Sequence, residues 1–126
     1  MRTVFIIDDL RHEDLCYELN NVTREDDDVV IVAKCARSAA LTLLTLAEKN
    51  IPIDIIMLDH DLGDGLDTTW LLNWILGNIG WEPPPGLDII KHIISDSEWL
   101  IHTSNFGVVQ SMKDKITQTQ HMVDKY

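Results

Sequence analysis

Residues 55–65 read IIMLDHDLGDG, and the rest of the chain is organised around this stretch. Its first four residues are apolar, which is typical of a strand buried on both faces in the middle of a parallel sheet. The apolar run stops at Asp59, His60 and Asp61, and nearby glycines allow the backbone to turn sharply beside a ligand. Because ligands of open α/β sheets bind at the carboxyl ends of the strands, we expect a binding site here.

The rest of the chain repeats this pattern of strand and helix. Apolar runs predict further strands over 3–7, 29–33 and 99–101, and the first of them ends in Asp8 and Asp9. Helices are predicted over 13–20, from Ser38 as N-cap to about Asn50, and over 87–95. The apolar faces of the first two helices are predicted to be Leu15, Cys16 and Leu19, and Ala40, Leu41, Leu44 and Ala47. The alternation predicts a three-layer α/β domain with a short parallel sheet, for which we expect the strand order 2-1-3-4.

The segment 66–85 is longer than a crossover between two strands requires. We therefore interpret it as an insertion within a single domain of residues 1–126. Asp67 is a possible cap for a helix that carries Trp70 and Trp74, and three consecutive prolines predict an extended loop after it. These tryptophans and Trp81 are expected in the core or on a partner surface, including a possible homodimer contact through Trp70 and Trp74. A lid or a base-stacking platform is the alternative. A last helix is predicted from near Gly107, followed by a polar tail beyond Gln118.

Composition excludes several classes of function. The 126 residues are 45% hydrophobic and carry no apolar run of the roughly 20 residues that a membrane helix needs, so we expect a soluble cytoplasmic domain without a membrane partner. A formal net charge of −11 argues against a broad surface for duplex nucleic acid, which is held by clustered basic residues. Cys16 and Cys35 lie far apart and are expected to be buried thiols in a reducing cytoplasm.

Carboxylates at two strand ends point to a metal site. Asp8, Asp9, Asp59 and Asp61 would repel one another unless protons or a divalent cation neutralise them. Carboxylates and water are the ligands that Mg²⁺ prefers, often together with a substrate phosphate. We therefore expect Mg²⁺ or Mn²⁺ at this edge, together with a small phosphorylated ligand. A calcium-binding EF-hand does not fit, because Asp64 and Trp70 occupy the positions that require Gly and Glu.

Other polar residues at the same edge suggest acid, base and phosphate-binding roles. His60 and His102 could act as acid and base, and Arg11 offers a fork for phosphate oxygens. Thr103, Ser104 and Asn105 follow the fourth predicted strand and are potential hydrogen-bond donors. Structural alternatives stay open: His60 could face a loop, Asp61 could cap a turn, and Arg11 could pair with Glu13 or Asp14.

Three motifs resemble those of a known family. They are Asp8-Asp9-Leu10-Arg11, Leu58-Asp59-His60-Asp61-Leu62-Gly63 and His102-Thr103-Ser104-Asn105-Phe106-Gly107. The chain resembles the receiver-like family predicted to process cyclic phosphates, which is distantly related to response-regulator receiver domains. That resemblance implies a flavodoxin-like fold, metal-assisted activity on a cyclic phosphate or nucleotide, and an association with phage and bacterial conflict or RNA repair. Thr103 stands where the family has Ser, and no fifth strand with a Lys-Pro pair follows the last predicted helix.

The functional hypothesis is a metal-dependent phosphodiesterase in a bacterial or phage-infected cell. Asp8, Asp9, Asp59 and Asp61 are the expected metal ligands, and His60 and His102 the expected acid and base. Arg11, Thr103 and the turn from Ser104 through Asn105 to Gly107 would bind the phosphate oxygens. Asp59 could instead attack phosphorus directly. Two other hypotheses are a phosphoacceptor signalling module with Asp59 as the acceptor, and a noncatalytic protein that binds a nucleotide or a partner.

Overall fold

Parallel strands form the sheet that positions the candidate site. The structure, a computed structural model, describes residues 1–59, 68–76, 87–102, 113–114 and 116–117. Its elements in chain order are β1 (Thr3–Ile7), α1 (Glu13–Leu19), β2 (Val29–Ala33), α2 (Ala36–Glu48), β3 (Ile55–Leu58), α3 (Thr68–Leu76), α4 (Leu87–Ile93) and β4 (Glu98–Ile101). The strands pair in parallel in the order β2-β1-β3-β4, which confirms the expected topology.

The burial of the strands follows their place in the sheet. Every residue of β1 and β3, the two central strands, is buried. The outer strands β2 and β4 are only partly buried along their length. The continuous apolar runs of β1 and β3 are therefore explained by helices covering both faces, as in other parallel sheets.

Alternate residues of the central strands face two separate helical layers. One side packs α1 through Cys16 and Tyr17, and the other packs α2, α3 and α4. On the α1 side lie Val4, Ile6, Ile55 and Met57. On the opposite side lie Phe5, Ile7, Ile56 and Leu58, with Trp74 of α3 fully buried among them. The result is the predicted three-layer arrangement, built on the two-residue side-chain period of a strand.

The predicted N-cap of α2 and one residue of its predicted apolar face are wrong, whereas Ala40 and Ala47 are buried and Leu44 packs against the core, as predicted. Cys35, and not Ser38, is the N-cap, because its Sγ accepts a hydrogen bond from the Ser38 backbone N–H at 3.4 Å. The helix therefore starts at Ala36, and Leu41, predicted in the core, is 60% exposed. The buried residues recur at helical spacing from this start: Ala36, Ala39, Ala40, Leu43, Leu46 and Ala47. The helix ends at Glu48, and Asn50 adopts the left-handed conformation that Asn tolerates.

The buried face of α1 and the burial of Cys35 also differ from what the sequence predicts. Leu15 and Leu19 are 42% and 48% exposed, whereas Cys16 is buried as predicted and Tyr17 is buried beside it. Both cysteines are free, which confirms the absence of a disulfide between them, but only Cys16 is buried and Cys35 is half-buried.

α3 lies in the region interpreted as an insertion and contributes to the main core. Trp74 is fully buried and Trp70 packs against the same cluster, which agrees with a core role; Trp81 lies outside the described residues. The last predicted helix is described only at 113–114 and 116–117, which are helical, and Ile116 packs against the core. No helix in the described ranges combines the length and apolarity that crossing a bilayer requires.

Candidate functional site

The parallel ladder continues one residue beyond each strand and aligns the site. The backbone N–H of Asp8 donates to Ala33 O at the end of β2, at 3.1 Å. In the same way, Asp59 donates to Ile7 O at 2.9 Å, and His102 donates to Leu58 O at 2.8 Å. Each residue that follows a strand is thus anchored to the last residue of its neighbour. The sheet register therefore brings Asp8, Asp59 and His102 to one edge.

Asp8 is the centre of the hydrogen-bond network at this edge. Its Oδ1 accepts hydrogen bonds from the backbone N–H groups of Leu10 and Arg11, at 3.0 and 2.9 Å. Its Oδ2 lies 2.7 Å from Nε2 of His102, and the residue is 1% exposed. Burial raises the pKa of Asp8, but the hydrogen bonds from His102 and from the following turn outweigh it and hold the pKa well below its usual range. Asp8 is thus an ionised carboxylate in a buried position.

Asn20 fixes the tautomer of His102. The Asn20 Nδ2 group donates to Cys16 O at 2.8 Å and lies 2.9 Å from His102 Nδ1. Since the amide nitrogen is a donor, Nδ1 of His102 is the acceptor and Nε2 carries the proton that is donated to Asp8. Both ring nitrogens are therefore engaged, and the imidazole is 5% exposed.

Arg11 bridges the carboxylates of two strands. One of its guanidinium nitrogens, Nη1, lies 3.2 Å from Asp8 Oδ2 and 3.1 Å from Asp59 Oδ2. Burial lowers the pKa of Arg11, but hydrogen bonding to Asp8 and the charge of Asp59 raise it overall, so the group stays cationic. The alternative pairing of Arg11 with Glu13 or Asp14 is wrong, because Arg24 forms those ion pairs at 3.1 and 2.7 Å.

Three carboxylates converge beside this arginine. Ligand oxygens of Asp8, Asp9 and Asp59 all lie within 4.8 Å of one another. Asp8 and Asp59 are buried and Asp9 is half-buried. Such a cluster of oxygen donors suits a hard divalent cation. The chain could hold Mg²⁺ or Mn²⁺ here.

Cys16 and Asn20 were missed as site residues by the sequence interpretation. The Cys16 Sγ lies 3.7 Å from Asp8 Oδ2, and Cys16 forms a second close group with Asp8 and His102. Burial and the nearby Asp8 charge raise the Cys16 pKa to about 12, so the S–H group stays protonated and donates to Asp8. The only signal in the sequence was their spacing of four residues, which places Cys16 and Asn20 one turn apart on the same helix face.

Several predicted site residues cannot be placed. His60, Asp61, Thr103, Ser104, Asn105 and Gly107 lie outside the described residues. Their roles in catalysis, metal binding and phosphate binding remain predictions. Of the predicted site residues that the structure describes, Asp8, Asp9, Arg11, Asp59 and His102 come together at one edge of the sheet.

The sequence also matches a protein-family model. The family is described as the Cyclic-phosphate processing Receiver domain, and its model matches residues 3–118. The chain belongs to this family. No curated protein and no solved structure gives a significant match to the sequence of this chain.

The family match covers the whole sheet of this cyclic-phosphate processing receiver domain. It begins at the first residue of β1 and extends beyond β4, so it includes every described residue of the site. The α/β fold with strand order 2-1-3-4 agrees with a receiver-like domain. The family assignment inferred from the three motifs is therefore confirmed.

Proposed function

We propose that this receiver domain binds Mg²⁺ or Mn²⁺ and hydrolyses a cyclic phosphate or cyclic nucleotide. One observation carries the proposal: oxygens of Asp8, Asp9 and Asp59 lie within 4.8 Å of one another, beside Arg11. An acidic cluster of this kind repels a phosphate unless a cation is bound, and Mg²⁺ characteristically combines carboxylates with substrate phosphate oxygens. The family description supplies the class of substrate.

The donor set fits a hard divalent cation. All three proposed ligands provide carboxylate oxygens, and the thiol of Cys16 is protonated, which favours Mg²⁺ or Mn²⁺ over a thiolate-bound metal. When bound, the cation would polarise the phosphorus–oxygen bonds and offset the charge that develops on the phosphate. Asp61 is retained as a further proposed ligand.

Arg11 is suited to hold the phosphate oxygens that do not react. A guanidinium has five N–H donors, and the two recorded ion pairs of Arg11 both use Nη1. Its remaining donors are the groups that we assign to the phosphate. Arg11 also limits the repulsion between Asp8 and Asp59 before the substrate binds.

His102 is better suited to positioning Asp8 than to transferring a proton. Its Nε2–H is donated to Asp8 and its Nδ1 accepts from Asn20, so neither ring nitrogen is available to a substrate in this arrangement. A histidine that orients a metal-binding carboxylate is a common supporting element of metal sites. We therefore assign His102 and Asn20 as positioning residues and retain His60 as the proposed acid or base.

Metal-dependent turnover of cyclic nucleotides tests the proposal. The full chain is incubated with 2′,3′- and 3′,5′-cyclic nucleotides in the presence of Mg²⁺, Mn²⁺ or a chelator. We expect hydrolysis with either metal, none with the chelator, and a severe loss in Asp59→Asn. Asp27→Asn is the matched control, because Asp27 is an exposed aspartate whose recorded ion pair is with the chain's amino terminus. Absence of turnover of every cyclic nucleotide, or full activity of Asp59→Asn, would contradict the proposal.

A phosphoacceptor module is the second candidate function. Its support is the position of Asp59, which directly follows β3 in a receiver domain and contacts Arg11. In this case a carboxylate oxygen of Asp59 attacks the phosphorus of a phosphodonor, and the donor's leaving group departs with the bonding electrons. Incubation with acetyl phosphate and Mg²⁺ would then give a covalent phosphoprotein by mass spectrometry, absent in Asp59→Asn, without turnover of cyclic nucleotides.

A further inference from the structure

A pocket of about 320 Å³ lies beside the carboxylate cluster and has a different chemical character. It is lined by Leu10, Arg11, His12, Glu13, Val32 and Lys34. Leu10 is 88% exposed and Val32 is 39% exposed, so the lining includes accessible apolar surface. The volume is at the lower end of the range for small-molecule sites.

The basic side chains of this pocket are available to a ligand. Lys34 is exposed, and the described residues give it no hydrogen-bond or ion-pair partner. His12 uses Nδ1 to accept the Asp14 backbone N–H at 3.3 Å, so its neutral ring carries a proton on Nε2 that can be donated. The one carboxylate in the lining, Glu13, is paired with Arg24 at 3.1 Å. Lys34 is therefore a cation that no described carboxylate pairs with, in a chain whose formal net charge is −11.

The sheet fixes this pocket next to the proposed metal site. Lys34 follows Ala33, whose carbonyl accepts the backbone N–H of Asp8. Arg11 belongs to both regions, because it lines the pocket and contacts Asp8 and Asp59. A ligand with one anionic group at the carboxylate cluster and another beside Lys34 would span neighbouring strand ends.

We infer that this pocket binds a phosphomonoester group of a nucleotide through Lys34 and His12. The apolar side chains of Leu10 and Val32 would contact the sugar or base, and the two basic side chains would hold the phosphate. Its role as a substrate subsite rests on the proposed function: the substrate is then a cyclic phosphate that carries a second, terminal phosphate. Substrates with a terminal phosphate would be preferred over those without one, because Lys34 and His12 bind that second phosphate.

Binding of 5′-AMP in the presence of EDTA tests the pocket separately from hydrolysis. Without a cation the carboxylate cluster repels phosphate, and 5′-AMP contains no cyclic diester to be cleaved. Calorimetry or NMR titration should detect binding to the native chain and much weaker binding of adenosine. Lys34→Gln should weaken 5′-AMP binding about tenfold, as expected for the loss of one charged hydrogen bond. Lys49→Gln, an exposed lysine at the end of α2, should bind as the native chain does.

The possible results separate the pocket from the proposed reaction. Equal binding by Lys34→Gln and the native chain, or no saturable binding of 5′-AMP, would overturn the inference even if cyclic nucleotides are hydrolysed. Binding that depends on Lys34 supports it even if no cyclic nucleotide is turned over, in which case the proposed reaction alone fails. If both hold, a 2′,3′-cyclic nucleotide with a 5′-phosphate should show a higher kcat/KM than its unphosphorylated counterpart, and Lys34→Gln should reduce that preference.

Discussion

Asp8 and Asp28 are ion-paired carboxylates at opposite edges of the same sheet. Asp28 precedes β2 and binds Arg2 through both carboxylate oxygens, at 2.9 Å each. It also accepts the Tyr17 hydroxyl at 2.8 Å. The Arg2 hydrogen bonds lower the pKa of Asp28 against a smaller opposing effect of desolvation, so its carboxylate is ionised, as that of Asp8 is.

The difference between the two edges lies in the neighbouring charges. The acidic side chains grouped with Asp28 are those of Glu25 and Asp27, which are 53% and 64% exposed and therefore solvated. At the Asp8 edge, Asp59 is buried and Asp9 half-buried, and Arg11 pairs with Asp8 and Asp59. Excess buried negative charge reduces stability unless a ligand compensates for it. A lowered pKa alone therefore does not identify a functional carboxylate, whereas a group of buried carboxylates is the arrangement on which the proposed metal site rests.

Replacing Asp59 should have the largest effect on function and a small effect on folding. Asp59→Asn should reduce metal-dependent hydrolysis about 100- to 1000-fold, because the substitution removes a proposed ligand charge. It should also remove the rise in melting temperature that we expect Mn²⁺ to give the native chain. The metal-free stability should change little, because the relief of repulsion among three carboxylates offsets the loss of the ion pair with Arg11. If a metal stabilised Asp59→Asn as much as the native chain, the result would contradict the proposed metal site.

Asn20 tests whether His102 acts by holding Asp8. Asn20→Ala removes the donor to His102 Nδ1 and should reduce kcat/KM about 10- to 100-fold, the range for residues that support metal ligands. The apparent Mn²⁺ affinity from a thermal titration should fall as well, which a defect in proton transfer alone would not cause. Unchanged metal affinity together with reduced kcat would favour a direct role of His102 in proton transfer.

Replacing Asp28 should reduce folding stability and leave metal binding unchanged, which is the opposite of the effect expected for Asp59. Asp28→Asn should lower the free energy of unfolding by about 2 kcal/mol, because a charge-assisted network with Arg2 and Tyr17 is weakened. Metal-induced stabilisation should be retained. Tyr17→Phe removes one hydrogen bond of the same network and should cost about 1 kcal/mol in urea denaturation. A loss of metal binding in Asp28→Asn would show that the two edges are not independent.

Acid should reduce the effect of replacing Asp28. Its folded-state pKa lies below the unfolded value, so its contribution is present above the unfolded pKa of about 4 and is lost as the pH falls through the folded pKa. The difference in unfolding free energy between the native chain and Asp28→Asn should therefore be constant from neutral pH to about pH 5 and shrink towards pH 3. If this difference in unfolding free energy instead grew on acidification, the result would contradict a lowered pKa of Asp28 in the folded state.

The two thiols should differ in reactivity. Cys16 is buried beside Asp8 with its pKa raised to about 12, whereas Cys35 is half-buried. Iodoacetamide at mildly alkaline pH should label Cys35 in the folded protein and Cys16 only after unfolding, because the thiolate is the reactive form. Mass spectrometry of tryptic peptides would distinguish them. Rapid labelling of Cys16 in the folded chain would contradict its desolvated environment.

Much of the sheet was predictable because its signals are local. The four apolar runs gave the strands to within a residue, and the alternation with helices led to the parallel three-layer arrangement. Helix faces were less predictable. A cysteine cap shifted the start of α2 and left Leu41 exposed, and α1 buried Tyr17 while Leu15 stayed exposed. Which apolar residues are buried depends on how each helix lies against the sheet.

Local sequence patterns alone indicated which carboxylates follow β1 and β3, because each lies next to an apolar run that is typical of a buried strand. From that alone, Asp8, Asp9 and Asp59 could be assigned to one edge. How these carboxylates are held follows from long-range contacts, since His102 and Asp8 are 94 residues apart and Asn20 and His102 are 82 apart. The direction of a hydrogen bond between such distant residues depends on sheet register and helix rotation, which long-range packing sets and no local pattern encodes.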